Sequence, residues 1–378
     1  MKDVPKMTEE RTLFEIFQTA RRLEREGKDL IHLAIGDPDF GPPKRVIDAT
    51  IDALKKNMTK YTDSAGIPEL RQKIASTLNE KFSRDLNEDN VIITVGGRQA
   101  INLCIDHLVG AGDEVIVIAP VYPPYLFSVR DVGAEPVLLL TELEAQWNPD
   151  IGKLHEAICS KTKMIITITP NNPVGKTLSR NTMKQIAEVA SDNDIYVLSD
   201  EVYSTLNYGT EFASILEFPE CSSTYVGSFS KEFGMTGYRL GYVVTDEQTA
   251  SNMLKRQRQS VISIPEFVQY AGMAALDCVD EANSYSKIVG ERLSTACKEL
   301  ERLPVSFYQP DGTFYIFPKI EVDMTGREFT MELLSKKNVV VAPGDVFNIQ
   351  YEQFFRMTVL QPEEKIVEAI DRMEEILG

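Results

Sequence analysis

The sequence has one tryptophan, three histidines and five cysteines in 378 residues. Cys104, Cys159, Cys221, Cys278 and Cys297 form no CxxC pair, and an odd, scattered set is a poor disulfide framework. Three of them sit among apolar or small helical residues, which favours small buried hydrophobes in a reducing compartment. His32, His107 and His155 stand alone, without metal-ligand spacing. No apolar run approaches the ~18 residues that a bilayer requires. The charged segment MKDVPKMTEERT lacks the apolar stretch of a secretory signal, so a cytoplasmic location is expected. Basic residues are in deficit, 40 against 57 acidic, and the net charge of −17 argues against nucleic acid as the partner. No GxGxxG follows a strand and no GxSxG elbow occurs. Gly175-Lys176-Thr177 ends like a phosphate loop, but Pro170 stands where that loop needs its first glycine.

What is present is a soluble globular composition, 43% hydrophobic and 26% charged, long enough for two or three domains. Short β-rich runs recur at VIITVGG (91–97), EVIVIAP (114–120), PVLLL (136–140), KMIITITP (163–170), IYVLSDEVY (195–203), TYVGSFS (224–230) and YRLGYVVT (238–245). Several are apolar throughout, as in strands buried on both faces, and helical segments such as SRNTMKQIAEVASDND lie between them. The expected fold is α/β, a mostly parallel sheet flanked by helices, with a smaller α+β domain. The large domain is placed at 46–275, and the small one at 1–45 plus 276–378. Within the latter, VSFYQPDGTFYIFPKI reads as a hairpin around Asp311-Gly312. PEEKIVEAIDRMEEILG reads as a helix with Ile366, Ile370, Met373 and Leu377 on one face.

The chemistry concentrates in SFSKEFGMTGYRLGY (228–242), which holds serines, one lysine, three glycines and one arginine. A single lysine in a glycine-rich loop is ordinarily a solvated charge. Here it follows a buried-type strand, and the arginine comes eight residues later. A lysine that bonds a carbonyl, beside Ser and Arg groups that grip a phosphate, matches covalent pyridoxal phosphate chemistry.

The chain resembles the class I/II aminotransferases, the aspartate aminotransferase-like fold type I pyridoxal-phosphate enzymes. IGDPDF, YTDSAGIPELRQKI, VGGRQA, PVYPPY, PNNPVG, SDEVY, SFSKEFGMTGYRLGY, QPDGTFYIF and FRMTVL carry the resemblance in order along nearly the whole chain. It implies that Lys231 holds the cofactor covalently and, once freed, moves the substrate proton. Asp200 would face the pyridine nitrogen and keep it protonated. Tyr203 and Asn172 would bond the phenolic oxygen. Ser228, Arg239 and the backbone amides of Gly97 and Arg98 would bind the phosphate. Tyr122 would stack on the ring, where many relatives carry Trp. Asn172-Pro173 resembles a junction that is often cis.

On the substrate side, the resemblance gives Arg356 the α-carboxylate, by the fork geometry lysine lacks. Gly36 would let the backbone approach the same group, and Asn172 adjoins it. Tyr61 would reach the phosphate of the neighbouring subunit's cofactor, which implies a homodimer with composite sites. Arg98 would face a second carboxylate, the cofactor phosphate or solvent. The first option makes aspartate or glutamate the expected donor, with 2-oxoglutarate as acceptor. A small apolar or aromatic donor stays open, with Phe14, Ile16, Phe17 and Phe347 on the other wall. So does a carbon–sulfur β-lyase on the same scaffold. A ligand-sensing regulator is disfavoured by the net charge.

Overall fold

The apolar runs of the middle of the chain become seven strands of one sheet. They are β1 (Val91–Thr94), β2 (Glu114–Ala119), β3 (Glu135–Leu140), β4 (Thr162–Ile168), β5 (Tyr196–Asp200), β6 (Ser223–Ser228) and β7 (Gly241–Val244). The computed structural model describes residues 8–209 and 211–378, with the side chains of 8–12 and 14 outside the described set. The sheet order is β1-β7-β6-β5-β4-β2-β3. All pairs are parallel except those of β7, which runs antiparallel to both β1 and β6. Sequence neighbours on these strands feed opposite cores, because strand side chains alternate between faces. Ile93, Ile116, Ile165, Val197, Tyr225 and Val244 enter one core. Ile92, Val115, Val117, Met164, Leu198, Val226 and Val243 enter the other. Both faces are covered, which is why the runs show no polar alternation.

Four helices recur below: α1 (Thr8–Arg25), α2 (Gly96–Leu108), α3 (Val279–Leu300) and α4 (Glu363–Leu377). α3 buries Ala282, Ser286, Val289, Leu293, Ala296 and Leu300 at helical spacing. α4 buries Ile366, Ala369, Ile370, Met373 and Leu377, with Glu363 and Glu364 in its first turn, where the helix dipole favours acids. Their apolar faces meet in a further core that also takes Ile31, Leu33, Phe329, Val339 and Met357. The early chain is tied in here: Ile31–His32 pairs in parallel with Val339–Val340. Three short antiparallel strands, β8 (Tyr315–Ile316), β9 (Ala342–Pro343) and β10 (Phe355–Thr358), lie in the order β8-β10-β9.

The segment around Asp311-Gly312 is not a tight hairpin. Val305–Ser306 does pair with Lys319–Ile320, but the chain between them bulges away, and β8 pairs with β10 instead. Asp311 draws it out. Its carboxylate accepts from the Thr177 N–H at 2.6 Å and the Tyr308 hydroxyl at 2.8 Å, docking the loop against the turn after β4. Among the described residues the five cysteines are free, no helix is long and apolar enough to cross a membrane, and no His/Cys/Asp/Glu group could hold a metal ion.

β1 and β6 run the same way, since each is antiparallel to β7. The C-terminal ends of β1, β5 and β6 therefore reach one edge of the sheet. Thr94 and Ser228 both lie opposite Gly241 there, and β5 ends at Asp200. In a sheet of this kind that edge is where loops can gather around a ligand.

Candidate active site

A cavity of about 400 Å³ opens at this edge. Ser228 ends β6, and its hydroxyl caps the single turn Phe229–Glu232 by accepting from the Ser230 N–H at 3.2 Å. That turn delivers Lys231, whose Nζ donates to the Gly36 carbonyl at 2.5 Å. Burial lowers the Lys231 pKa to about 8, with Asp37 opposing the shift and Arg239 and Arg356 adding to it. A lysine so placed is partly neutral near neutral pH, the form that attacks a carbonyl or takes a proton.

Asp200 is 3% exposed. Its Oδ2 accepts from the Tyr125 hydroxyl and its Oδ1 from the Val202 N–H at 3.1 Å. Burial raises its pKa to about 6, while those two donors pull it down. Among the described residues no Lys or Arg is ion-paired with it.

The anion-binding end is made by α2, whose first residues Gly96, Gly97 and Arg98 follow β1 directly. The free N–H groups and dipole of a helix start favour negative charge. Arg239 stands beside them in a left-handed conformation (φ 54°), with Nη1 donating to the Thr236 carbonyl at 3.0 Å. Gly241 lets β7 begin beneath this turn. A Cβ there would lie 2.6 Å from the Gly96 carbonyl carbon and 2.7 Å from the Gly97 nitrogen.

Arg356, from β10, faces the cavity and is 5% exposed. Nη1 donates to Asn172 Oδ1 at 2.8 Å, Nη2 donates to the Ala34 carbonyl at 2.6 Å, and Nε is buried without a partner. Its guanidinium lies over the Tyr315 ring at 4.4 Å. Gly36 must be glycine in this place, because a Cβ would collide with the Tyr315 hydroxyl. The Tyr203 and Tyr315 rings meet edge to face, with centroids 6.1 Å apart. The Asn172-Pro173 bond is cis.

The cavity thus gathers Lys231, Asp200, Tyr203, Asn172, Ser228, Arg239, Tyr122, Gly97, Arg98, Gly36, Arg356 and Phe17. Tyr61 is not in it; that ring is 81% exposed. Two expected wall residues are elsewhere. Ile16 turns into a small core with Ala20, Leu334 and Val340. Phe347 is buried with Trp147 and Phe317 and touches the site only through the Arg356 guanidinium, 5.1 Å from its ring. The Phe14 side chain lies outside the described residues. Residues not foreseen also line the cavity: Tyr125, Tyr315, Thr236, Ser230, Leu13 and Ile35. Tyr125 is three residues beyond Tyr122 in PVYPPY, a spacing that one turn of chain brings to one side.

The set fits pyridoxal phosphate. It offers a primary amine for an aldehyde, a buried carboxylate lacking a cation for a ring nitrogen, and helix-start amides with Arg239 for a phosphate.

The known relatives agree. Residues 28–373 match the family model for aminotransferase class I and II. The chain is 36% identical to the (5-formylfuran-3-yl)methyl phosphate transaminase of Methanocaldococcus jannaschii, over 97% of this chain and 96% of the relative. It is 36% identical to an aspartate aminotransferase of Pyrococcus horikoshii, over 96% and 93%. The crystal structure of an aspartate aminotransferase from Thermotoga maritima superposes with a TM-score of 0.93 at 33% identity, covering 97% of this chain and 96% of that one. The likeness runs along the whole fold that carries this site, and the chain belongs to the aminotransferase class I and II family of pyridoxal-phosphate-dependent transaminases.

Proposed function

We propose that this aminotransferase takes the amino group of an L-amino acid, aspartate first, and passes it to a 2-oxo acid such as 2-oxoglutarate in a ping-pong exchange. The observation that carries the reading is the convergence of the Lys231 amine, the cation-free Asp200 carboxylate and the acid-free Arg356 guanidinium in one cavity. Bound pyridoxal phosphate supplies an aldehyde that accepts the amino group and a ring that draws electrons from the donor's Cα. Lys231 holds the cofactor, then takes the Cα proton and returns it; its lowered pKa suits both directions. Asp200 keeps the ring nitrogen protonated. Tyr122 covers the ring face. Asn172 has its oxygen committed to Arg356, which leaves its NH₂ group as the donor that, with Tyr203, would bond the phenolic oxygen. Ser228, Arg239 and the Gly97 and Arg98 amides hold the phosphate. Arg356 takes the donor α-carboxylate, with the Gly36 backbone alongside.

Aspartate is supported by the names of the relatives and by Arg98, a cation on the cavity wall that suits a second carboxylate. A large apolar or aromatic donor is the second reading, favoured by Leu13, Phe17, Ile35 and Ile101 on the same wall. A panel of amino acids with 2-oxoglutarate, followed by the oxo acid formed, tests both. Turnover of aspartate supports the first. Phenylalanine turnover with aspartate inert replaces it with the second.

The working unit of this proposal is a cytoplasmic homodimer whose subunits divide into a large unit, 46–275, and a small one, 1–45 plus 276–378. Ile47, Ile51 and Leu54 form an exposed stripe on the helix Lys44–Lys55, and Tyr61 and Ile262 are exposed as well. An apolar patch of this kind is a mark of an interface. In a dimer Tyr61 would reach the partner's phosphate site. Ile51→Glu is expected to shift sedimentation to the monomer and weaken cofactor retention together. An unchanged sedimentation profile would remove the dimer from the proposal. Five free cysteines suit a reducing compartment.

A further inference from the structure

Tyr125 is a buried phenol aimed at a buried acid. It opens the helix Pro124–Asp131, and its N–H donates to the Tyr122 carbonyl at 3.2 Å, which places the two rings on one turn. The Tyr125 ring belongs to the apolar core of the sheet with Ile168 and Leu198 and is 5% exposed. Its hydroxyl bonds to Asp200 Oδ2. Asp200 therefore has one donor on each oxygen, Tyr125 on Oδ2 and the Val202 N–H on Oδ1. These come from different elements, so the carboxylate can neither rotate nor swing without breaking one of them. The other charged or titratable groups that bear on the Tyr125 phenol are Tyr203 and Arg98.

We infer that Tyr125 is a positioning residue for the transamination reaction: its phenol fixes the Asp200 carboxylate and keeps it ionised, so that the proton shared with the cofactor's ring nitrogen stays on the nitrogen. The inference rests on Asp200 facing that nitrogen. A carboxylate that already accepts two hydrogen bonds is a weaker base, because both donors stabilise its charged form. Burial works against them and favours the neutral acid. The Tyr125 hydroxyl thus tips a balance set between desolvation and hydrogen bonding. No bond is made or broken at Tyr125, which keeps its own proton; burial and the adjacent Asp200 charge raise its pKa well above the usual phenol value.

The test uses the holoenzyme loaded with pyridoxal phosphate labelled with ¹⁵N in the ring. Nitrogen chemical shift against pH is followed for the wild type, Tyr125→Phe, Asp200→Asn and the double variant. Phenylalanine keeps the packed ring and removes only the hydroxyl, and unchanged circular dichroism and melting verify the fold. Tyr125→Phe is expected to bring the loss of the ring-nitrogen proton to a midpoint lower by about 1–2 in pH, the scale of a lost hydrogen bond to a charged group. It should lower kcat by roughly tenfold to hundredfold with the KM of the donor nearly unchanged. In the Asp200→Asn background the same substitution should add nothing. A nitrogen titration that moves in Asp200→Asn but not in Tyr125→Phe overturns the inference and leaves the placement of Asp200 standing. A titration that moves in neither removes that placement and the inference together.

Discussion

Charges on the outer surface and charges in the cavity are handled in opposite ways. At the surface, Arg302 gathers Glu299, Asp371 and Glu374, and Lys337 pairs with Glu375. In the cavity, Asp200 has only neutral donors and Arg356 only neutral acceptors among the described residues, although both face the same space. Solvated pairs are cheap to form and worth little. A desolvated charge without its counterpart costs stability, and a fold keeps it where a ligand will supply the missing sign. Asp200 lacks a cation, which in the proposed reaction the protonated ring would provide. Arg356 lacks an anion, which the proposed donor's carboxylate would provide.

The contrast can be broken or sharpened by four substitutions. Lys231→Ala should have the largest effect. It removes the amine proposed to take the Cα proton and should cut amino transfer by about 10²–10⁴-fold or more. Single-turnover absorbance of the loaded enzyme checks this, with melting unchanged. Asp200→Asn in the apoprotein comes next. The folded pKa of Asp200, about 6, lies above the ordinary value of 3.8, so the folded state holds its proton more tightly. Its contribution is present below pH ~4 and is lost as pH rises through 6, each tenfold difference in proton affinity between the folded and unfolded chain being worth about 1.4 kcal/mol. The variant should therefore gain up to about 3 kcal/mol over the wild type at pH 8 and nothing at pH 3. Paired denaturant titrations at the two pH values cancel the similar pulls of Glu201 and Glu232, whose pKa values burial raises to about 7. Adding pyridoxal phosphate should reverse the order at pH 8.

Arg356→Lys keeps the charge and loses the fork. The donor KM should rise by about tenfold or more, with kcat less affected; steady-state kinetics with the best donor reads this. Arg302→Ala should do least, shifting stability by no more than about 1 kcal/mol at physiological salt. A large loss of stability there would erase the contrast between surface and cavity.

Much of this is written plainly in the chain. The seven strands are legible because most are apolar runs closed by Gly, Pro or Asp, and buried strands have no other face to show. Lys231, Asp200 and Arg239 are legible because they stand at strand ends inside short motifs. The α1 residues are harder to read. Leu13 and Phe17 lie one turn apart and line the cavity, whereas Ile16 and Ala20 lie on the next stripe and enter a core. The sequence shows both stripes but not which one faces the ligand. Phe347 misleads for a similar reason, since an aromatic can reach a site through an intervening guanidinium. Tyr125 gives no sign of its role because its partner is 75 residues away and only the sheet brings them together. The Asp311-Gly312 pair looks like a local turn, yet its carboxylate is used across the fold at Thr177.

The backbone contact of Gly241 with the Gly96-Gly97 peptide has a further consequence. An anion seat built from main-chain groups wedged against a strand has no rotamers with which to adapt. Its grip cannot be graded by side-chain exchange at that spot, and any added bulk must displace strand and seat as one body. Under the proposed assignment, a shift of the sheet margin would therefore loosen the vitamin-derived coenzyme even with every side chain of the site in place.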